Sequence, residues 1–144
     1  MYDDILLPTD GSPGMEKVID HAAGLAAAHD ATLRALYVVD TASLTDIPME
    51  ASMEGVSQAL EREGQSALEQ VQRRAEEASV ETDLIEGSPA SDITAYAAEN
   101  PCDIVVMGTH GRSGMNRLLL GSVAERVVRS APVPVLTVNV DNAD

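Results

Sequence analysis

The sequence predicts a doubly wound α/β protein, a five-stranded parallel sheet with helices on both faces in the order β-α-β-α-β-α-β-α-β. Three observations carry that prediction. Short hydrocarbon runs alternate with longer segments whose apolar residues recur at helical spacing, the pattern of right-handed βαβ crossovers. Several of the short runs are apolar throughout rather than at every second residue, as interior parallel strands covered on both faces require. The length of 144 residues suits a single domain over 1–144 that buries its own core without disulfide or metal support.

The elements follow in order. "DDILLP" (3–8) is the first strand, and the segment 13–29 is the first helix, with Ser12 and Pro13 as N-cap and first-turn residues and Val18, Ile19, Ala22, Leu25 and Ala26 as its apolar stripe. "TLRALYVVD" (32–40) is the second strand; "TASLTDIPMEAS" (41–52) is too polar and broken for a core and reads as a surface excursion. A long helix over 53–78 places Met53, Val56, Leu60, Ala67, Leu68, Val71, Ala75 and Ala78 on one stripe. "VETDLIE" (80–86) alternates, which belongs on a sheet edge. Ser88 and Pro89 open a helix to about Glu99, after which Cys102 stands as a small buried hydrophobe before the strand "DIVVMG" (103–108). A fourth helix starts at Ser122 and carries Val123, Val127 and Val128; the last strand, 134–140, is introduced by "PVP" and is assigned to the other edge.

Composition narrows the functions open to such a fold. With 24 acids against 9 bases and Lys17 as the single lysine, the net charge is −15. A surface of that sign repels nucleic-acid phosphates, and the absence of Trp and Phe removes most stacking platforms, so no nucleic-acid partner is expected. Acid excess with lysine depletion suits a protein working in high salt, where counterions screen self-repulsion. One cysteine excludes an internal disulfide, the N-terminus lacks the basic and apolar regions of a signal peptide, and no run is long enough to span a membrane. A cytoplasmic protein with no membrane partner is the expectation.

In a doubly wound sheet, ligands sit outside the carboxyl ends of the strands where the strand order reverses. The loops that matter are "PTDGSPG" (8–14) after the first strand and "GTHGRSGMNRLLLGS" (108–122) after the fourth. The lysine of a Walker loop, the G-x-G-x-x-G fingerprint and the acid cluster of a phospho-receiver are all missing. What remains is G-x2-G-x9-G-S: Gly108, Gly111, Gly121 and Ser122. Gly108 and Gly111 are able to take positive φ and turn successive N–H groups into an anion-binding nest. Gly121 and Ser122 stand at a helix N-terminus, which favours negative charge, with Ser122 either capping the helix or donating to a phosphate oxygen. The competing reading makes these glycines turn residues and Ser122 only a cap; Gly114 is assigned to turning the chain. Leu118 to Leu120 are expected to pack the loop onto the domain or a dimer mate.

The segment "VVMGTHGRSGMNRLLLGSVAERVVRSAPVPVLTV" resembles the C-terminal half of the universal stress protein (UspA) family, and "ILLPTDGSPGMEKVIDHAAGLAAAHDATLRALYVVD" resembles its opening strand, helix and second strand. That resemblance implies a Rossmann-like fold of the adenine nucleotide alpha-hydrolase type and an ATP ligand with Mg²⁺ held through its phosphates. It places phosphates and ribose on Gly108, Gly111, Gly121 and Ser122, with Met107 and Val123 beside them. It assigns Asp10 to the ribose or a phosphate-bound Mg²⁺, the backbone of Val38 to adenine, and Pro8 and Thr9 to the lining of the base. From the residues themselves, Asp10 equally suits an Asx-turn or a helix cap. Arg112 lies on the phosphates or pairs with surface carboxylates; His110 donates to phosphate or fills a polar position. The family also implies a homodimer through the last strand. No paired carboxylates or nucleophile set can be placed by spacing, which favours nucleotide-dependent signalling in a stress response over turnover. Slow ATP hydrolysis or self-phosphorylation is the alternative.

Overall fold

Leu6, at the centre of the molecule, has strands on both sides and helices above and below. The computed structural model describes residues 1–44, 53–110 and 120–140. In these, β1 (Asp4–Pro8), α1 (Met15–His29), β2 (Thr32–Asp40), a 3₁₀ turn (Thr41–Leu44), α2 (Met53–Arg74), β3 (Ser79–Gly87), α3 (Pro89–Glu99), β4 (Ile104–Gly108), α4 (Ser122–Ser130) and β5 (Val135–Val138) follow in order. The strands are all parallel in the order β3-β2-β1-β4-β5. The two strands assigned to edges from their alternation and from "PVP" are the edge strands, and β1 lies in the middle.

Alternate residues of the central strands feed two cores. Ile5, Leu7, Leu33, Ala35, Ile104 and Val106 face α1 and α2, whereas Leu6, Leu36, Val105 and Met107 face α3 and α4. A run that is apolar at every position is therefore needed, because neither face meets water. Alanines 22, 23 and 26 on α1 let that helix approach the sheet closely. Cys102 is buried in the second core, and burial pushes its thiol up from the usual range, so it behaves as the small hydrophobe the sequence predicts.

Two element boundaries differ from expectation. Helix α1 starts at Met15 with Gly14 as N-cap; Ser12 and Pro13 lie in the preceding turn, where Ser12 O accepts from Met15 N–H at 3.0 Å. Helix α2 ends at Arg74 rather than 78, and the Ala78 N–H bonds back to Ala75 O. Within α2, Gly64 is buried because the helix crosses the sheet so closely that a Cβ there would lie 2.6 Å from Leu84 Cδ1. On α4, Val127 is buried but Val128, one residue further round the helix, is 47 % exposed. Thr41 and Ala42 are exposed, as a surface excursion requires; residues 45–52 lie outside the described residues.

Candidate functional site

The hydrogen-bond ladder between β1 and β4 stops short of their carboxyl ends, the place where a doubly wound sheet leaves a crevice. These strands pair only at Ile5↔Ile104 and Leu6↔Val105, although both run on. Thr9 N–H bonds to Leu36 O at 2.9 Å, so the backbone groups of odd-numbered residues of β1 face β2 and those of even-numbered ones face β4. Pro8 consequently brings its missing N–H to the β4 side, ending that ladder without leaving a donor unpaired. On the other side β2 outruns β1, whose last paired residue is Pro8, opposite Leu36. By the same alternation the Val38 N–H and C=O point past the end of β1 toward the crevice.

The loop after β1 is held by its own side chains. Gly11 N–H donates to Thr9 Oγ1 at 3.1 Å and Ser12 N–H to Asp10 Oδ1 at 2.9 Å, an ST-turn followed by an Asx-turn. Gly11 takes φ 74°, a conformation that favours glycine. The Asx-turn weighed for Asp10 is thus present.

The loop after β4 is pinched at its base. Thr109 N–H bonds to Val138 O at 2.9 Å and Gly121 N–H to Thr109 O at 2.7 Å, which brings the start of α4 beside the end of β4. Gly121 is the N-cap of α4, in extended conformation, and Ser122 is the first helical residue and exposed. Ser122 is therefore not the helix cap. Gly108 does not take the positive φ expected of it: among described glycines only Gly11 does, and Gly111, the other glycine of the expected nest, lies outside the described residues. A Cβ on Gly108 would lie 2.9 Å from Val140 Cγ1, 3.3 Å from His110 O and 3.3 Å from Val18 Cγ2. Close packing, rather than a left-handed turn, requires glycine there.

His110 is buried, with Nδ1 3.0 Å from Thr109 Oγ1. Met107 and Val123 turn their side chains into the α3/α4 core, leaving their backbones to border the crevice. Gly111 and Arg112, together with Gly114, Arg117, Leu118 and Leu119, lie outside the described residues. Leu120 is 40 % exposed. Thr9, Ser12 and His110 are the buried polar residues of the described chain, and all three belong to these two loops. Three participants carried no motif: Thr109, which ties β5 to α4; Gly14; and Val140, which packs against both glycines. An open cleft of about 630 Å³ along α2, from Ala59 to Arg73, reaches the site only at Gly11.

A doubly wound parallel sheet whose described buried polar residues gather at the strand-order switch point defines the class: an α/β protein of the architecture in which ligands sit outside the carboxyl ends of the strands. The model of the universal stress protein family matches residues 1–139, and the chain belongs to that family. A universal stress protein of Methanocaldococcus jannaschii is 44 % identical over 140 residues, covering 96 % of this chain and 82 % of that one. The solved structure of the hypothetical protein MJ0577 superposes with a TM-score of 0.88 at 28 % identity, covering 99 % of each chain. More distant solved members share the fold, at 24 %, 22 % and 20 % identity and TM-scores of 0.71, 0.65 and 0.65; they are described in complex with cAMP, with dAMP (from Archaeoglobus fulgidus) and with AMP (from Arabidopsis thaliana).

Proposed function

We propose that this protein binds an adenine nucleotide, ATP with Mg²⁺, in the β1/β4 crevice and acts as a nucleotide-dependent module in a stress response. The observation that carries the reading is the confinement of buried polar residues to the two loops that meet at the switch point. Among the described residues, Thr9, Ser12 and His110 bring polar groups into a mostly apolar interior at these two loops, where they would border an enclosed polar ligand. The Val38 backbone supplies a donor and an acceptor for the edge of a purine beyond the end of β1, with Pro8 and Thr9 beside it. The α4 N-terminus, with Gly121 extended and the Ser122 hydroxyl released from capping, offers N–H and O–H donors to phosphate. Gly108, His110, Gly111 and Arg112 complete the phosphate side. In this reading Mg²⁺ is carried by the phosphates, and Asp10 contacts it or the ribose. Bound, Mg²⁺ neutralises phosphate charge in an acidic protein.

The same reading takes the chain as one domain that works as a cytoplasmic homodimer in high salt. Edge strand β5 is half-buried on both faces, and the exposed Val128 lies on α4, the helix packed against β5; a second copy covers both. Mass spectrometry of nucleotide released on denaturing the purified protein, and the thermal shift with added ATP and Mg²⁺, test the binding. Ligand at 100 times Kd contributes about 2.7 kcal/mol, and absence of both nucleotide and shift refutes the proposal. Turnover of about 1 s⁻¹ or faster refutes the binding role in favour of an enzyme. A monomer mass by light scattering at micromolar concentration in molar salt refutes the dimer.

A further inference from the structure

We propose that Val140 is a positioning residue for nucleotide binding, a wedge that fixes the loop after β1 against the loop after β4. This rests on the nucleotide reading above. The strand β5 ends at Val138, but the chain keeps its alternation: Leu136, Val138 and Val140 all pack on the α1 side of the sheet. Two residues beyond the last ladder pair, Val140 therefore reaches past the end of β4. There a Cβ on Gly14 would lie 2.9 Å from Val140 Cβ, and a Cβ on Gly108 would lie 2.9 Å from Val140 Cγ1. Gly14 is the N-cap of α1 and closes the first loop; Gly108 ends β4 and opens the second. One side chain thus touches both segments that frame the crevice, and each segment presents a glycine to admit it.

The backbone reinforces the wedge. Val140 N–H approaches Thr109 Oγ1 at 3.5 Å, and that hydroxyl also meets His110 Nδ1 at 3.0 Å. Thr109 donates its N–H to Val138 O and accepts from Gly121 N–H through its carbonyl. Thr109 thus connects the Val140 segment to the start of α4, where phosphate is proposed to sit. β1 and β4 themselves pair at only two residue positions, the nearer two residues before the end of β1 and three before the end of β4, so the wedge supplies a restraint that the ladder does not. Val140 touches no ligand in this scheme; it acts through Gly14, Gly108 and Thr109. A binding site loses affinity steeply when its two halves are free to move apart by even an ångström.

Val140→Ala tests the role on the full chain, with three measurements: ATP affinity by calorimetry, amide hydrogen exchange in the nucleotide-free protein, and urea unfolding. The expected result is a Kd for ATP raised about tenfold, as loss of pre-organisation produces, with Thr109 and Gly121 amides exchanging about tenfold faster while Leu33 and Val105 are unchanged. Unchanged exchange at Thr109 and Gly121 overturns the wedge, whatever the protein binds. Faster exchange at Leu33 and Val105 as well overturns it by making Val140 a contributor to global stability alone. If wild type binds ATP and the variant binds it equally tightly, only the positioning role fails. If wild type binds no adenine nucleotide, the functional reading fails and the proposed role in binding falls with it.

Discussion

Gly108→Ala separates two reasons for a glycine at the end of β4: room for a neighbouring side chain, or approach to a ligand. The new methyl meets Val140 Cγ1 at 2.9 Å, with His110 O and Val18 Cγ2 each at 3.3 Å. Val140 is half-buried and able to shift, but Val18 is fully buried and the His110 carbonyl is backbone, so the overlap is only partly relieved. Overpacking of this kind costs about 1–3 kcal/mol. Because φ is not positive, alanine adds no backbone strain and regains about 0.4–1 kcal/mol by restricting the unfolded chain. The net expectation is a loss of about 1–2 kcal/mol in protein stripped of nucleotide. An unfolding entropy of about 2.1 cal/mol/K per residue converts that into a fall in Tm of about 3–7 °C for a chain of this length. Circular-dichroism melts and urea titrations of the nucleotide-free variant measure it. An unchanged or raised Tm together with lost ATP affinity refutes the packing argument and returns Gly108 to a role at the ligand alone.

Gly24, exposed on α1 with nothing within 4 Å of a built Cβ, is the contrasting case: Gly24→Ala raises stability by about 0.5–1 kcal/mol in urea titration, and a loss contradicts the geometry. Asp103 Oδ2 accepts from the N–H groups of Asp3 at 2.7 Å and Asp4 at 3.0 Å, which holds its carboxyl below the usual carboxylate range. A lowered folded-state pKa stabilises above the unfolded value and is lost as pH falls through the folded one, so the contribution is present at pH 7 and fades below about pH 4. Discounted for solvent exposure, Asp103→Ala costs a few tenths to about 1 kcal/mol at neutral pH, and an equal cost at pH 3 sinks the assignment. With a net charge of −15, Tm rises on going from 0.1 to 2 M KCl as self-repulsion is screened; a flat or falling scan contradicts the high-salt reading.

Much of this protein is legible locally. The apolar runs around Leu6 and Val105, the alternation of "VETDLIE" and the "PVP" before β5 were enough to place central and edge strands, because each reports the solvent on two faces of one strand. The paired glycine loops were legible for the same reason, as short stretches with an unusual residue choice, and together they carried the family. Helix ends were less so: whether Ser12, Gly14, Gly121 or Ser122 caps depends on where the loop delivers the chain, and Ala78 lies past the end of α2 although it continues the stripe.

What only the tertiary structure decided is why particular glycines are glycines. Gly64 yields space to Leu84 and Tyr37, and Gly14 and Gly108 yield it to Val140. Those partners are distant in sequence and meet because parallel crossovers bring the start of α1, the end of β4 and the chain after β5 to one end of the sheet. Periodicity states which face a residue turns to the interior; it does not state which residue waits there, and that neighbour is a property of the folded topology.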